Sequence, residues 1–214
     1  MLTVEAGGEP LQLLPEKAAF LPAHGALLVA DVHIGKAVSF RRWGVPVPRG
    51  TTTDTLQRLS LLIEQLPVRR LVFLGDFLHS ERAHAPATLA ALARWRERHA
   101  RLAVTLVRGN HDLRAGDPPA ALGIEVVDEP LRLGGLALCH HPQPVAHAYA
   151  LAGHLHPCVA VGRGLDRLRL PCFWLRPALG VLPAFGAFTG MHAVHADDED
   201  RVFAVAEQRV LAVA

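Results

Sequence analysis

Five short groups of polar residues in this 214-residue chain contain side chains of the types that bind divalent metal ions. In chain order they are Asp31-Val32-His33, Gly75-Asp76, Gly109-Asn110-His111-Asp112, His140-His141 and Gly153-His154-Leu155-His156. In the first and last groups, two ligand-type residues lie two positions apart, which places both side chains on one face of an extended segment. Taken singly, Asp76 and Gly109-Asn110 have a simpler explanation as turn residues. Together the groups indicate a metal centre, and imidazole, carboxylate and amide ligands suit Mn, Fe or Zn better than Ca or Mg.

Each of these groups follows an apolar run that is rich in Val, Leu or Ala. The runs, which we predict to be buried strands, cover residues 26–30, 71–74, 102–107, 136–138 and 148–152. In open α/β sheets the carboxyl ends of the strands share one edge, and sites are built at that edge. We therefore expect the five groups to converge in space, although they are far apart in the chain.

Helical patterns separate several of these strands. Residues 53–66 and 86–99 carry apolar side chains at helical spacing, and Pro67 ends the first helix. Strands that alternate with helices predict an α/β fold. Further strands at residues 168–175, 190–195 and 202–213 would close a second sheet. No repeat or low-complexity linker divides the chain, so we expect one domain over residues 1–214.

The composition excludes several classes of protein. Half of the residues are apolar and the net charge is +2, which rules out a disordered chain. No apolar run approaches the roughly 18 to 20 residues of a membrane helix, and the first residues lack a signal-peptide pattern. Three cysteines without a C-x-x-C motif, Cys139, Cys158 and Cys172, argue against a disulfide framework and are expected to be buried. These features predict a cytoplasmic protein that does not associate with membranes.

The order D-x-H, G-D, G-N-H-D, H, G-H-x-H, each after a strand, resembles the signature of the calcineurin-like metallophosphoesterases. The resemblance implies a four-layer αββα sandwich, in which two mixed β-sheets are flanked by helices. It also implies two divalent metal ions per chain, with Mn as the expected metal and Fe or Zn as alternatives. By this resemblance, the first ion would be held by Asp31, His33 and His156. The second would be held by Asn110, His140 and His154. Asp76 would bridge the two ions. His141 stands where many relatives have glycine, so the choice of His140 over His141 stays open here.

The same resemblance implies a hydrolytic mechanism. Two ions about 3.5 to 4 Å apart activate a hydroxide and neutralise the phosphate oxygens in an in-line displacement. His111 is expected to protonate the leaving group, with Asp112 orienting its imidazole. His79 is a second candidate, because DNA-repair nucleases of this superfamily have a histidine at a similar offset from the bridging aspartate. The alternative for His79 is an ordinary loop histidine.

Two further segments resemble a narrower family, the bacterial ligase-associated DNA damage response phosphoesterases. One is D-x-H-x-G-K at residues 31–36, followed by F-R-x-x-G-V-P-x-P at residues 40–48; the other is L-P-A-F-G-A-F-T-G at residues 182–190. Met191 stands where members of that family often have a second glycine. The resemblance implies a DNA endonuclease or phosphodiesterase in DNA repair, associated with a DNA ligase, a helicase and an exonuclease.

Three cations follow the first ligand pair closely and are candidates for substrate binding. Lys36, Arg41 and Arg42 would hold phosphates that flank the scissile one, or would be solvated loop residues. Trp43 would stack on an unpaired base or, as we favour, pack the loop against the body. No groove-reading helix is evident, so we expect unpaired or looped DNA without sequence specificity.

Two other functions are compatible with the sequence. One is a phosphatase or nucleotide phosphodiesterase that acts on a small substrate, although no long insertion supplies a cap to close a pocket. The other is a non-catalytic scaffold on the same fold. The scaffold is disfavoured, because all seven candidate ligands and His111 are present.

Overall fold

The computed structural model of the chain describes residues 1–42, 44, 46–47, 50–162 and 167–213. Trp43, which we expected to pack the loop or to stack on a base, lies outside these residues, as do Val45 and Pro48 of the motif at residues 40–48.

The first sheet has seven strands in the described part of the chain, and their order in the sheet is their order in the sequence. They are β1 (Leu2–Ala6), β2 (Glu9–Leu13), β3 (Ala19–Leu21), β4 (Ala26–Val29), β5 (Arg70–Leu74), β6 (Ala103–Val107) and β7 (Glu125–Val127). Neighbours from β1 to β4 are antiparallel, and those from β4 to β7 are parallel. The structure confirms the predicted strands β4, β5 and β6 to within a residue.

The second sheet is also mixed. Its strands are β8 (Leu131–Leu133), β9 (Leu136–Leu138), β10 (Tyr149–Ala152), β11 (Pro157–Val161), β12 (Leu168–Leu175), β13 (Leu179–Val181), β14 (His192–Ala193), β15 (Arg201–Ala206) and β16 (Arg209–Ala212). The main path runs β14-β11-β12-β13-β10-β9-β8, while β15 pairs with β12 and β16 with β15. Strands β9, β10 and β13 are parallel neighbours at its centre.

Two predicted strands of this sheet differ from the structure. The segment 190–195 contains only the two-residue strand β14. The segment 202–213 is a hairpin and not one strand, because the chain reverses at Glu207, whose φ of 50° lies in the left-handed region. Glu207 is one acidic residue between two apolar runs, and this pattern does not predict a turn.

The described helices are α1 (Lys36–Arg42), α2 (Thr51–Gln65), α3 (Pro86–Arg98) and α4 (Asn110–Ala115), with single 3-10 turns at Pro22–His24, Glu81–His84 and Ala120–Leu122. The predicted helices at 53–66 and 86–99 are confirmed as α2 and α3. Helix α2 stops before Pro67, since the residue before a proline is pushed toward the extended region. Helices α1 and α4 are too short to show apolar residues at helical spacing, so they were not predicted.

Alternation of side chains along the strands separates two large cores. In β5, Leu71 and Phe73 face the helices, while Val72 and Leu74 face the second sheet. The first core contains Leu59 of α2 and Leu92 of α3. The second core lies between the two sheets. The predicted α/β fold with two mixed sheets is confirmed.

A smaller cluster covers the outer face of the second sheet. It contains Ala137, Cys139, Ala150 and Ala152, with Val145 of the β9–β10 connection packed against it. All three cysteines are free and buried, as expected. None of the described helices is long and apolar enough to cross a membrane.

The two sheets come together at the end of β4. An isolated parallel bridge joins Ala30, directly after β4, to Ala184, which follows β13 of the second sheet. The Phe185 amide donates to the Ala30 carbonyl (2.8 Å), and the Gly186 amide donates to the Asp31 carbonyl (3.1 Å). Ligand-type residues that leave the two sheets at this edge therefore meet.

Candidate metal centre

The seven candidate ligands all leave strand ends at this common edge. Asp31 and His33 follow β4, Asp76 follows β5, and Asn110 follows β6 and begins α4. From the second sheet, His140 follows β9, and the segment between β10 and β11 carries His154 and His156. The expected convergence is therefore found in the structure.

The backbone at five of these residues lies in the left-handed region of φ/ψ space, which residues other than glycine rarely adopt. The φ angles are 52° at Asp31, 50° at His33, 51° at Asp76, 70° at His154 and 51° at His156. Such conformations persist where the surrounding structure holds them, and they cluster at functional sites. The sharp turns directly after the strands thus direct these side chains toward one point.

One group of ligand atoms is formed by Asp31, His33 and His156. The His33 Nε2 lies 3.4 Å from the His156 Nε2, and the His156 Nε2 lies 3.5 Å from the Asp31 Oδ1. The His156 Nδ1 donates to the Gly190 carbonyl (3.2 Å), which leaves the lone pair of a neutral ring on Nε2. Burial, aided by Lys36 and neighbouring imidazoles, lowers the pKa of His33 well below its ordinary value. The His33 ring is therefore neutral.

A second group is formed by Asn110, His140 and His154. The His140 Nε2 lies 2.9 Å from the Asn110 Oδ1 and 3.1 Å from the His154 Nδ1. The His140 Nδ1 donates to the Leu74 carbonyl (3.0 Å), so a neutral ring carries its lone pair on Nε2. Burial, followed by His140 and His141, lowers the pKa of His154. The ligand-type atoms of Asn110, His140 and His154 thus face one another, as in the first group.

Asp76 lies between the two groups. Its Oδ1 is 3.5 Å from the His140 Nε2, and its Oδ2 is 3.8 Å from the His33 Nε2. The Oδ1 also accepts the His111 amide (2.9 Å), which fixes the carboxylate at the start of α4. Each oxygen of Asp76 thus faces a different group, as a bridging carboxylate requires.

The atoms at the centre fit divalent cations. Lone pairs of imidazole, carboxylate and amide groups converge there, and the buried Asp31 Oδ1 has no hydrogen-bond partner among the described residues. Acceptors packed against acceptors repel unless a cation lies between them. The mixed N and O donor set suits Mn, Fe or Zn.

The surroundings of His140 and His141 differ, although both lie in a group with His154 that could hold a metal ion. His140 is fully buried and faces Asp76, whereas the His141 side chain is 42% exposed and its Nδ1 pairs with the Glu129 Oε1 (2.7 Å). Glu129 also accepts the amides of both histidines, at 2.7 and 2.9 Å. Burial alone would raise the pKa of Glu129, but these hydrogen bonds lower it. The role of Glu129 could not be predicted from the sequence, because its contacts with the two histidines form only when the chain folds back.

Two candidate residues for catalysis, His111 and His79, lie beside His33 of the first group. The His111 Nδ1 donates to the His79 carbonyl (2.8 Å), and its Nε2 lies 3.9 Å from the Asp76 Oδ2. The His79 ring stacks on the His111 ring at 5.0 Å, and burial, aided by Lys36, lowers its pKa to about 4. The imidazole of His111 is therefore held with Nε2 facing the centre.

The expected contact of Asp112 with the His111 ring is not formed. The buried Asp112 carboxylate instead accepts the amides of Leu78 (2.9 Å) and Gly109 (3.0 Å). Burial raises the pKa of Asp112, although these amides oppose the shift. The physical reason is that adjacent residues of a helix point in different directions. Asp112 fastens the turn before α4 to the loop after β5, and the His79 carbonyl orients His111.

The three cations of the sequence prediction lie on α1. Lys36 begins the helix and lines the same cavity as His33. Burial lowers the pKa of its ammonium group, although Asp76 and Asp31 oppose the shift. Arg41 and Arg42 are exposed in the last turn of α1. Lys36 therefore borders the first group of ligand atoms, and the two arginines lie at the other end of the helix.

Two glycines permit the close packing of the ligand loops. A Cβ at Gly153 would lie 2.7 Å from the Asp31 Oδ2, and one at Gly109 would lie 2.5 Å from the Asp76 Oδ1. Larger residues would displace these carboxylates. The G-H-x-H and G-N-H-D motifs therefore need their glycines for space.

Comparisons with known proteins agree with this geometry. A family model described as calcineurin-like phosphoesterase matches residues 26–141. The crystal structure of Pseudomonas putida nuclease MPE is 47% identical, with a TM-score of 0.89, and the match covers 99% of each chain. A protein of unknown function from Aquifex aeolicus is 19% identical, with a TM-score of 0.39, over 61% of this chain and 78% of that one, and no argument rests on it. A comparison with curated proteins gives no match.

Proposed function

The chain belongs to the calcineurin-like phosphoesterase family, whose members are metal-dependent hydrolases of ester bonds, and we propose that it is a DNA endonuclease. The observation that carries the proposal is the match to a nuclease over 99% of both chains, with the ligand groups brought together as described. A role in DNA repair is part of the same proposal and is supported by the two motifs of the ligase-associated family.

The family uses divalent metal ions, and the residues of this centre fit two of them. We propose that Asp31, His33 and His156 hold one ion, that Asn110, His140 and His154 hold the other, and that Asp76 contacts both. Mn is the proposed native metal, with Fe and Zn as alternatives. When bound, the ions supply an activated water as nucleophile and neutralise negative charge on the phosphate oxygens.

His111 is the proposed proton donor to the leaving oxygen. Its side chain is 31% exposed, so a substrate can reach Nε2, while Nδ1 is fixed by the His79 carbonyl. A general acid has to present its proton at a defined atom close to the leaving group. The hydrogen bond at Nδ1 meets this requirement, because it leaves Nε2 as the atom that delivers the proton.

His79 and Asp112 are proposed to act through other residues. With a pKa of about 4, His79 is neutral at pH 7 and is a poor source of protons. Its ring supports His111 by stacking, and its Nδ1 lies 3.4 Å from the His33 Nδ1. Asp112 fixes the two loops that carry Asp76 and His111. Both are positioning residues.

Lys36, Arg41 and Arg42 are proposed to hold phosphates next to the scissile one. Lys36 borders the first group of ligand atoms, and the two arginines lie at the other end of α1. A polymer with one phosphate per nucleotide can use all three, whereas a small monoester cannot. This arrangement favours a nucleic acid over the alternative of a small phosphorylated substrate.

Cytoplasmic location and association with a DNA ligase, a helicase and an exonuclease complete the proposal. They are supported only by the resemblance of the motifs at residues 31–48 and 182–190. Co-purification of tagged protein with these three enzymes from its native host would test the association, and its failure would remove that part alone.

The function is tested with purified protein, Mn and three substrates. These are p-nitrophenyl phosphate, bis-p-nitrophenyl phosphate and closed circular single-stranded DNA, which has no ends for an exonuclease. We expect cleavage of the diester and of the circle, and none after chelation of the metal. A protein that is inert on the circle but fast on mononucleotides would be a small-substrate phosphoesterase instead.

A further inference from the structure

Phe188 exposes an aromatic ring close to the candidate centre. Its relative exposure is 49%, and among the Phe, Trp and Tyr residues that the structure describes it is the one that is mainly exposed. Its φ of 58° lies in the left-handed region, where a bulky side chain is unusual. Such a backbone outlier is found where the surroundings hold it in place. The position therefore calls for an explanation.

The segment that carries Phe188 is fastened to both ligand loops of the first group. On one side the Gly186 amide donates to the Asp31 carbonyl (3.1 Å), and a Cβ at Gly186 would lie 2.5 Å from the Val32 carbonyl. On the other side the Gly190 carbonyl accepts from the His156 Nδ1 (3.2 Å). The Lys17 Nζ donates to the Gly186 carbonyl (3.3 Å). Phe188 thus keeps a defined place relative to Asp31 and His156.

The ring borders two cavities that each contain a candidate ligand and a lysine. One is a narrow cavity of about 20 Å³, lined by His33, Lys36 and the first residues of α2. The other, of about 180 Å³, is lined by His156, Lys17 and Met191. An exposed aromatic ring therefore lies next to both lysines at the edge of the centre.

We propose that Phe188 is the stacking platform for an unpaired nucleobase next to the scissile phosphate. The inference rests on the proposed nuclease function and adds to it a site for the base. A strand that runs past the centre presents phosphates to the two lysines and a base to the ring next to them. In a duplex both faces of each base are covered by neighbouring bases, so the ring selects unpaired nucleotides. Stacking needs no particular base and gives no sequence preference.

The test separates stacking from charge. Binding to the metal-chelated protein is measured for a short thymidine oligonucleotide and for an abasic one with the same number of phosphates. We expect Phe188→Ala to weaken binding of the thymidine oligonucleotide by about 5- to 150-fold and to leave binding of the abasic one unchanged. Phe188→Trp should retain wild-type binding. The matched control is Leu211→Ala on β16, since Leu211 is 47% exposed.

Turnover of the Mn-loaded enzyme gives a second readout. If the ring only binds the base, Phe188→Ala raises KM for single-stranded DNA and leaves kcat unchanged. If Phe188→Ala weakened binding of both oligonucleotides equally, or weakened binding of neither, the proposed stacking role would be wrong. A change in oligomeric state in place of a change in DNA binding would also contradict that role, and would make the ring a protein contact. If the wild type neither binds nor cuts any DNA, the nuclease proposal itself fails.

Discussion

At the scale of single residues, the carboxylate of Asp76 connects the two groups of ligand atoms. We expect Asp76→Ala to abolish activity and to lower bound metal to well below two ions per chain, because it removes the negative charge that lets two cations lie close together. Elemental analysis of the purified variant measures this directly. Asp198→Ala, at an exposed aspartate, is the control. Two tightly held metals and full turnover in Asp76→Ala would show that the centre is not dinuclear in the way proposed.

A substitution at His111 distinguishes an effect on proton transfer from an effect on metal binding. We expect His111→Ala to keep its metal and to lose about 10²- to 10⁴-fold in the rate of DNA cleavage. The loss should be smaller on bis-p-nitrophenyl phosphate, because p-nitrophenolate leaves without a proton. The measurement is kcat on both substrates. Equal losses on the two would assign His111 to positioning or electrostatic stabilisation.

Glu129 contacts the backbone of the loop that carries His140. It accepts the amides of His140 and His141, and it pairs with the His141 ring. We expect Glu129→Ala to weaken metal binding by roughly 10- to 100-fold, as loss of an outer partner does. Glu129→Gln can still accept from both amides and should retain most of the affinity. Metal titration of the chelated protein measures both variants, and equal affinity in all three proteins would leave Glu129 without this role.

At the scale of elements, helix α1 carries the three cations that we propose to contact DNA phosphates. Replacement of Lys36, Arg41 and Arg42 by Ala should weaken DNA cleavage far more than cleavage of bis-p-nitrophenyl phosphate, which has one phosphate. The salt dependence of single-stranded DNA binding should fall by a slope of about 0.7 for each lost contact.

A control for net charge is available on other elements. Arg94, Arg101 and Arg209 are exposed, and their replacement removes the same three charges away from α1. This triple variant should keep the wild-type salt slope. If both triple variants behave alike, the α1 cations act only through overall charge.

The elements differ in how well the sequence predicts them. Strands β4, β5, β6, β9, β10 and β12 and helices α2 and α3 were predictable, since each has a clear apolar pattern and most are fully buried. Strands β1 and β2 carry polar residues at alternate positions, and β7 has only three residues, so all three have a weaker signal. The convergence of the ligand-type residues was predictable because parallel strands end at one edge. Glu129 and Phe188 were not, since their roles depend on contacts between distant segments.

At the scale of the whole molecule, the buried histidines make stability depend on pH. Burial lowers the pKa of His33, His79, His99 and His154, in His79 to about 4, from an unfolded value of 6.5. Between pH 6.5 and about 4 the unfolded chain therefore binds more protons than the folded one. The stability that these groups contribute is complete above pH 6.5 and decreases as the pH falls.

Urea unfolding of the metal-free protein tests this pH dependence. The free energy of unfolding should decrease from pH 7 to pH 5, by up to about 1.4 kcal/mol per pH unit for a fully buried group and less for the partly exposed His79. Carboxylates titrate mainly below this window, so the histidines dominate it. Equal stability at the two pH values would contradict the assignment of neutral, buried rings.

The meeting of two sheets at the centre has a consequence during translation. His33 and His156 are separated by 123 positions, which a ribosome working at about 5 to 20 residues per second needs roughly 6 to 25 seconds to synthesise. The group of Asp31, His33 and His156 is therefore incomplete until the segment between β10 and β11 has been made. We expect metal to be bound stably only after that segment has left the ribosome and packed beside the end of β4.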